Sequence, residues 1–459
     1  LGAESGGLIN IHYQKEYQEK LVSPEEAVRI VKNGDWIDFG FGHSKPVALD
    51  RALALRKDEL KDINIRHVLS LSPQACIEAD PEGEVFALNS WYFSAYDRKL
   101  PDRGQAYHSP MAFGNLALNY QKSIQYQVDV AMLRVTAMNK DGYFNLHCAC
   151  ASCRAIIEAS KKVVVEVNHR LPWAMGGADE LIHISEVDYI VEAESTVETI
   201  PAASPSDTDR KIAMHIVPLI RDGACLQLGI GGLPNLIGTM LVESDIKDLG
   251  CHSEMLADAY YHLYKAGKLT NRKKAVDKGK STFAFAAGSQ FLYDWLNYNP
   301  SLATYPASYT NNPRIIAQNP NTISINACLE VDLFGQVCSE SVGTRQISGT
   351  GGQLDFACGA YLSQNGISFI CCNSSYQDRD GNLKSRIVPT LLPGSIVTVP
   401  RSLTHCIVTE YGIADLAGRS TWQRAEALIN IAHPDLREEL IKEAEKMKIW
   451  RKSNKKPVA

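Results

Sequence analysis

Nearly continuous apolar runs alternate with stretches of helical period along this chain. Residues 128–135, 163–167, 225–228, 323–327, 367–372 and 396–399 read as strands. Most lack the in-out alternation of a half-exposed sheet, which is the pattern of parallel strands covered on both faces. Residues 24–33 are predicted helical, with Ser23 as N-cap, Glu26 three positions on completing a capping-box pattern, and Gly34 as the stop. Trp36–Phe39 then reads as a short strand running into Gly40-Phe41-Gly42. Strands alternating with helices predict an α/β fold with parallel sheets.

The pattern occurs twice. Residues 28–42 (VRIVKNGDWIDFGFG) align with 217–231 (VPLIRDGACLQLGIG), with one Val and three glycines identical. Residues 130–144 align with 323–337, each a strand followed by a glycine turn (Gly142, Gly335), and 60–70 align with 246–256. Three matches at nearly equal offsets predict two similar open-sheet α/β domains related by internal duplication. The expected boundaries are 1–200 and 209–445, with a basic tail at 446–459. The Pro-, Ser- and Asp-rich segment 198–209 (ETIPAASPSDTD) serves as linker.

Apolar residues are 45% and charged residues 22% of the 459, which excludes a disordered, collagen-like or coiled-coil chain. The net charge is 47 − 52 = −5, so overall charge gives no attraction to nucleic acid or an anionic membrane. Twelve cysteines are too few for a disulfide scaffold and suit reduced thiols in a cytoplasmic protein. No apolar run reaches the ~20 residues of a membrane span, and the polar start does not read as a signal peptide. The Lys-rich stretch 442–456 reads as a solvated terminal helix. The basic cluster 272–280 reads as a surface loop, with a phosphorylated ligand nearby as the alternative.

Candidate chemistry gathers in a few places. In QLGIGGLPN (227–235), glycines at a strand end precede a helix, a place where N–H groups can face an anion. A dinucleotide fingerprint is the competing reading, but Pro234 stands where the third glycine belongs and Asp248 falls in a charged turn. In CHSEMLAD (251–258), Glu254 aligns with Val68 of the first half. A carboxylate at the end of a buried strand is costly unless it faces a cleft or a partner, which makes Glu254 a candidate nucleophile or base. Glu330, Glu340 and Glu410 are rivals, each also readable as a structural hydrogen-bonding group. GTGGQLDF (349–356) is a second glycine turn able to present N–H donors. HCACASC (147–153) lacks a companion pair at zinc spacing, and His147 and Cys148 would point to opposite sides of a strand, so no metal is expected there. GFGHSKP (40–46) is the twin of the glycine loop, with His43 either lining a cleft or capping the turn.

These motifs, with YTNNP (309–313), SINACLEVDLFGQVCSES (324–341), SGTGGQLDF (348–356), KSRIVPTL (384–391), VTEYGIADL (408–416) and IAHPDLREEL (431–440), give a chain that resembles the family I coenzyme A transferases. The branch is that of 4-hydroxybutyrate CoA-transferase, butyryl-CoA:acetate CoA-transferase and acetyl-CoA hydrolase/transferase. The resemblance spans roughly 20–445 and implies two domains of the CoA-transferase (NagB/RpiA-like) type. It implies Glu254 as nucleophile, Gly352 with Gly351 as oxyanion donors, and Gln227 and Asn311 as active-site neighbours. Gly229, Gly231, Gly232, Gly349 and Gln353 would contact coenzyme A, and His43 and His108 the substrate pocket. The loops GFGHSKP and AYHSPM (106–111) are expected to close over the acyl group. The implied activity moves CoA between a short-chain acyl-CoA and a carboxylate such as acetate, through a glutamyl anhydride and a glutamyl-CoA thioester. A hydrolase using the same site is the alternative. No cofactor or metal is implied, coenzyme A being a substrate, and a homodimer or larger homo-oligomer is expected.

Overall fold

A computed structural model describes residues 11–122, 127–201 and 203–453. Its architecture rests on two sheets. The first runs in the order Ala106–His108, Phe86–Ser90, Ile63–Val68, Trp36–Phe41, Val128–Val135, Ser160–Val167, Tyr189–Glu192, with every neighbouring pair parallel. The second runs Gly250–Cys251, Cys225–Leu228, Thr322–Ala327, Ile367–Cys371, Cys406–Thr409, parallel up to a closing antiparallel strand, Gly412–Asp415. Short parallel pairs extend it in the order of the first sheet: Ser281–Phe283 with Leu302–Thr304, and Met255–Leu256 with Phe285–Ala286.

The repeat is visible down to the register. Ile37 lies opposite Ile65 on one side and Val130 on the other. In the second sheet Leu226 lies opposite Cys251 and Ile323. Those are the residues that the three sequence alignments equate. Asp62 and Asp248, aligned at the turns into Ile63–Val68 and Gly250–Cys251, share left-handed φ values of 56° and 58°.

Burial explains the apolar runs. All eight residues of Val128–Val135 are buried. Val130 and Met132 face one apolar cluster, and Ala131, Leu133 and Val135 the other. That second cluster also takes in Met255, Phe285 and Ala307, so the core is continuous between the two halves.

Local expectations needed four corrections. Ser23 Oγ accepts the Glu26 N–H at 3.1 Å, but the helix covers only Pro24–Ala27 and tightens to a 3₁₀ turn at Val28–Ile30. Residues 396–399 are not a strand. Ile396 and Val397 are exposed beyond the Pro393-Gly394 turn, and only Val399 bridges to Val337. His147–Ala149 form a 3₁₀ turn leading into the helix Cys150–Ala159, so His147 and Cys148 are not strand neighbours. In the basic segment 272–280, Lys274 is buried rather than solvated, its Nζ donating to the Cys251 and Lys280 carbonyls and to Thr282 Oγ1. All twelve cysteines are free thiols. The terminal helix is Arg437–Lys446 and stops short of the expected 442–456: residues 447–453 are not helical, Ile449 is buried, and residues 454–459 lie outside the described part. No helix among the described residues is long and apolar enough to cross a membrane.

Candidate active site

The aligned strands differ at one point. Ile63–Val68 is continuous, whereas its counterpart breaks after Cys251 and resumes at Met255. Glu254 sits in that break. Its carbonyl accepts the N–H groups of both Ala284 (2.9 Å) and Phe285 (3.2 Å) from the neighbouring strand, itself interrupted at the same level. Val68, at the aligned position, is fully buried among apolar side chains. The break turns the Glu254 side chain into a cavity of about 300 Å³ between the halves.

Two segments converge on that carboxylate. Asn311 ends the short helix Ala307–Thr310, and its Nδ2 donates to Glu254 Oε2 at 2.7 Å. In the same NNP run Asn312 does a different job, its side chain accepting the Arg314 N–H to cap the next helix. His252 secures this loop. Its Nε2 lies 2.8 Å from the Thr310 carbonyl, an acceptor, so the proton is on Nε2. Burial holds this imidazole's pKa down at about 4, keeping it neutral. Gly352 caps the helix Gln353–Leu362, and its backbone N–H lies beside the Glu254 carboxylate, where it favours the ionised form. A Cβ there would overlap both Glu254 Oε2 and Asn311 Nδ2, so the close approach requires glycine.

Burial dominates the electrostatics of Glu254 and pushes its carboxyl up to about 8. The Asn311 and Gly352 donors oppose that rise, and the Asp355 charge adds to it. The residue keeps partial exposure toward the cavity, so its carboxylate is desolvated yet reachable.

The cavity has two unlike walls. Gly229, Gly349, Gly351, Gly352 and Gln353 line one side together with Gln227. Gln227 Oε1 accepts from Ser324 Oγ (2.7 Å) and Asn326 Nδ2 (3.1 Å), which fixes the amide. Gln353 Nε2 is buried without a protein partner. The other wall is apolar: Phe41, Leu69, Met111 and Phe113 from the first half, Met255 and Phe285 from the second. Phe41 packs on Phe285 (4.5 Å between ring centroids) and Phe113 (5.3 Å). Glu254 is the sole charged side chain among the described residues of the lining.

Other expected residues lie elsewhere. His43 is buried away from the cavity, because the strand ends at Phe41 and a 3₁₀ turn, Gly42–Ser44, carries the imidazole beneath the linker. There its Nε2 meets the Glu198 carbonyl (2.9 Å) and Tyr293 Oη (3.0 Å). Of GFGHSKP only Phe41 reaches the cavity, and of AYHSPM only Met111. His108 stacks edge-on against Phe93, with its Nε2 3.3 Å from the Trp91 carbonyl, and does not line the cavity. Gly231 borders a neighbouring cavity, and Gly232 packs against Ser204, Pro205 and Asp209. Glu330 lies near Arg386, Glu340 accepts from Thr350 and Thr398, and Glu410 accepts from Ser374. None of these three carboxylates lines the cavity. Two features escaped the sequence reading. The aromatic wall is assembled from distant segments, and Asp355, inside the quoted GTGGQLDF motif, contacts the Asn311 amide.

Duplicated parallel sheets around one desolvated, cavity-facing carboxylate define the class: an α/β protein with a single candidate reactive group in its cavity. Sequence comparison makes this specific. The acetyl-CoA hydrolase/transferase N-terminal domain matches residues 8–201 and the C-terminal domain of that family matches 288–444. The chain belongs to this family. Glu254 falls in the stretch between the two matches. The chain is 50% identical over 447 residues to a probable butyrate:acetyl-CoA coenzyme A-transferase of Syntrophomonas wolfei (96% of this chain, 99% of that one). It is 48% identical to the butyryl-CoA:acetate CoA-transferase of Anaerostipes caccae (96% and 100%). The crystal structure of RipA from Yersinia pestis superposes with a TM-score of 0.87 at 36% identity, covering 95% of this chain and 99% of that one. Proteins named acetyl-CoA hydrolases are more distant, at 25% identity.

Proposed function

We propose that this protein is an acyl-CoA:carboxylate CoA-transferase in which Glu254 is the nucleophile. The observation that carries the reading is the convergence of the Asn311 amide and the Gly352 N–H on a cavity-facing carboxylate. Ionised Glu254 attacks the thioester carbonyl, the C–S bond breaks, and a glutamyl anhydride and CoA thiolate result. The thiolate attacks the glutamyl carbonyl, expelling the first carboxylate and leaving a glutamyl-CoA thioester. An acceptor carboxylate runs the two steps backward. Each step exchanges one anion for another, so no proton is consumed and the thioester's free energy is retained. The N–H donors serve the tetrahedral oxyanions, where one donor is typically worth about 10²–10³ in rate.

The apolar wall supports a plain short acyl chain such as butyryl. Each methylene buried there contributes about 0.8 kcal/mol, while the distal carboxylate of a dicarboxylic acyl group would meet no cation. The similarity to butyryl-CoA:acetate transferases points the same way.

Incubation with butyryl-CoA and no acceptor should leave a CoA thioester on Glu254. Borohydride then reduces it to an alcohol, detectable by mass in the peptide spanning 251–258. Adding acetate should discharge the thioester as acetyl-CoA. Steady CoA release without acceptor would mean a hydrolase, and transfer surviving in Glu254→Ala would displace the nucleophile.

A further inference from the structure

Asp355 stands in the first turn of the helix Gln353–Leu362, yet its carboxylate is turned into the protein, 8% exposed. Its Oδ2 accepts the Gly114 N–H at 3.0 Å and lies 3.4 Å from Asn311 Nδ2, whose nearer partner is Glu254 Oε2 at 2.7 Å. One side-chain amide therefore spans two carboxylates. Gly114 comes from the first half, and the N–H of its neighbour Phe113 donates to the Gly351 carbonyl at 3.1 Å. Phe113 is also part of the apolar wall. The Asp355 carboxylate is thus where the nucleophile's amide partner, the glycine turn and the acyl wall are joined.

We propose that Asp355 is a positioning residue for the nucleophile, holding the Asn311 amide on Glu254 and docking the Phe113–Gly114 segment against the site. This rests on Glu254 being the nucleophile. The role has a chemical reason. When Glu254 becomes an anhydride or a thioester it loses its negative charge, and Asn311 loses its better acceptor. Asp355 keeps an anion at the other side of the amide, so the donor stays oriented for the second half of the exchange. A charge-assisted hydrogen bond suits that task better than a neutral one.

The same arrangement sets the ionisation of the pair. Two carboxylates within reach of one amide do not both ionise easily. Burial lifts Asp355 to about 6, and its charge adds to the burial that lifts Glu254. The other ionisable groups facing the pair are Tyr92, beside Gly351, and Cys358, one turn along the Asp355 helix. Burial raises the pKa of both, so neither titrates across neutral pH.

The test is the pH dependence of kcat/KM for butyryl-CoA in Asp355→Asn, which keeps an acceptor for Gly114 and removes the charge. The limb for Glu254 ionisation should move to lower pH by roughly 1–2 units, the coupling of like charges that share one amide at a partly desolvated site. At high pH kcat should fall about 10-fold, with KM little changed. Asn311→Ala should move the limb the other way, because it removes a donor to the ionised form. A merely structural Asp355 would lower thermal stability and leave the limb in place, and that result overturns the proposal. Should Asp355→Asn not fold, Asp355→Ser reads the same limb with less volume at the site. If the wild-type enzyme forms no Glu254 thioester, the transferase reading itself fails. If the thioester forms and the limb does not move, only the role of Asp355 fails.

Discussion

Gly352→Ala tests the geometry of the site most directly. Gly352 has φ −95° and ψ 8°, a conformation alanine adopts freely, so the substitution adds no backbone strain. Its cost is local. The new methyl would lie 3.0 Å from Glu254 Cδ and overlap both Glu254 Oε2 and Asn311 Nδ2. Relief requires the carboxylate and its amide partner to move by more than about 1 Å, and a displacement of that size costs about 10²-fold in a positioned reaction. If the Gly352 N–H or the Asn311 amide is also misdirected, a further 10²–10³ follows. We expect kcat for CoA transfer to fall by about 10²–10⁴ while KM for butyryl-CoA changes little, because the apolar wall is untouched. The assay is acetyl-CoA formation from butyryl-CoA and acetate, with quenched-flow mass spectrometry of the Glu254 thioester to place the loss in the chemical steps. A Gly352→Ala enzyme within 3-fold of wild type would refute the close approach of glycine, carboxylate and amide.

Glu254→Gln should be more stable than wild type, and increasingly so as pH rises. The folded protein holds the Glu254 proton up to about pH 8, against 4.5 for an ordinary glutamate, so folding binds a proton in that window and stability declines through it. The neutral amide avoids this penalty, which reaches on the order of 3 kcal/mol near pH 7; denaturant melts at pH 5, 7 and 8 should show the gap widening, and a constant gap would contradict it. His43→Phe should lower the melting temperature with little effect on kcat, because His43 ties the 3₁₀ turn to Glu198 and Tyr293 and faces no substrate; a large loss of kcat in a folded variant would return His43 to the active site.

The chain's own pattern determined the scaffold. Apolar runs placed most of the buried strands, and the repeats at 28–42/217–231, 60–70/246–256 and 130–144/323–337 encoded the register in which Ile37 meets Ile65 and Val130, and Leu226 meets Cys251 and Ile323. Such information is legible because strand burial and glycine turns are local consequences of residue order. Glu254 stood out for the same reason: a carboxylate replaced Val68 in an otherwise matching strand. What tertiary structure decided is everything that depends on the far side of a contact. At the strand break Ala284 and Phe285, thirty residues away, both donate to the Glu254 carbonyl. The wall of Phe41, Phe113 and Phe285 comes from three segments spread over more than half the chain. Asp355, a first-turn acid of its helix, gains its place from Gly114 and Asn311, which close on it from remote segments. His43 sits in a loop twinned with the glycine turn after Leu228, yet the 3₁₀ turn after Phe41 sends it under the linker. Lys274, in a run that reads as solvated, is buried because three oxygens converge on its ammonium. Hydrogen-bond partners and desolvation are set by residues remote in sequence, so the pattern of one segment carries no record of them.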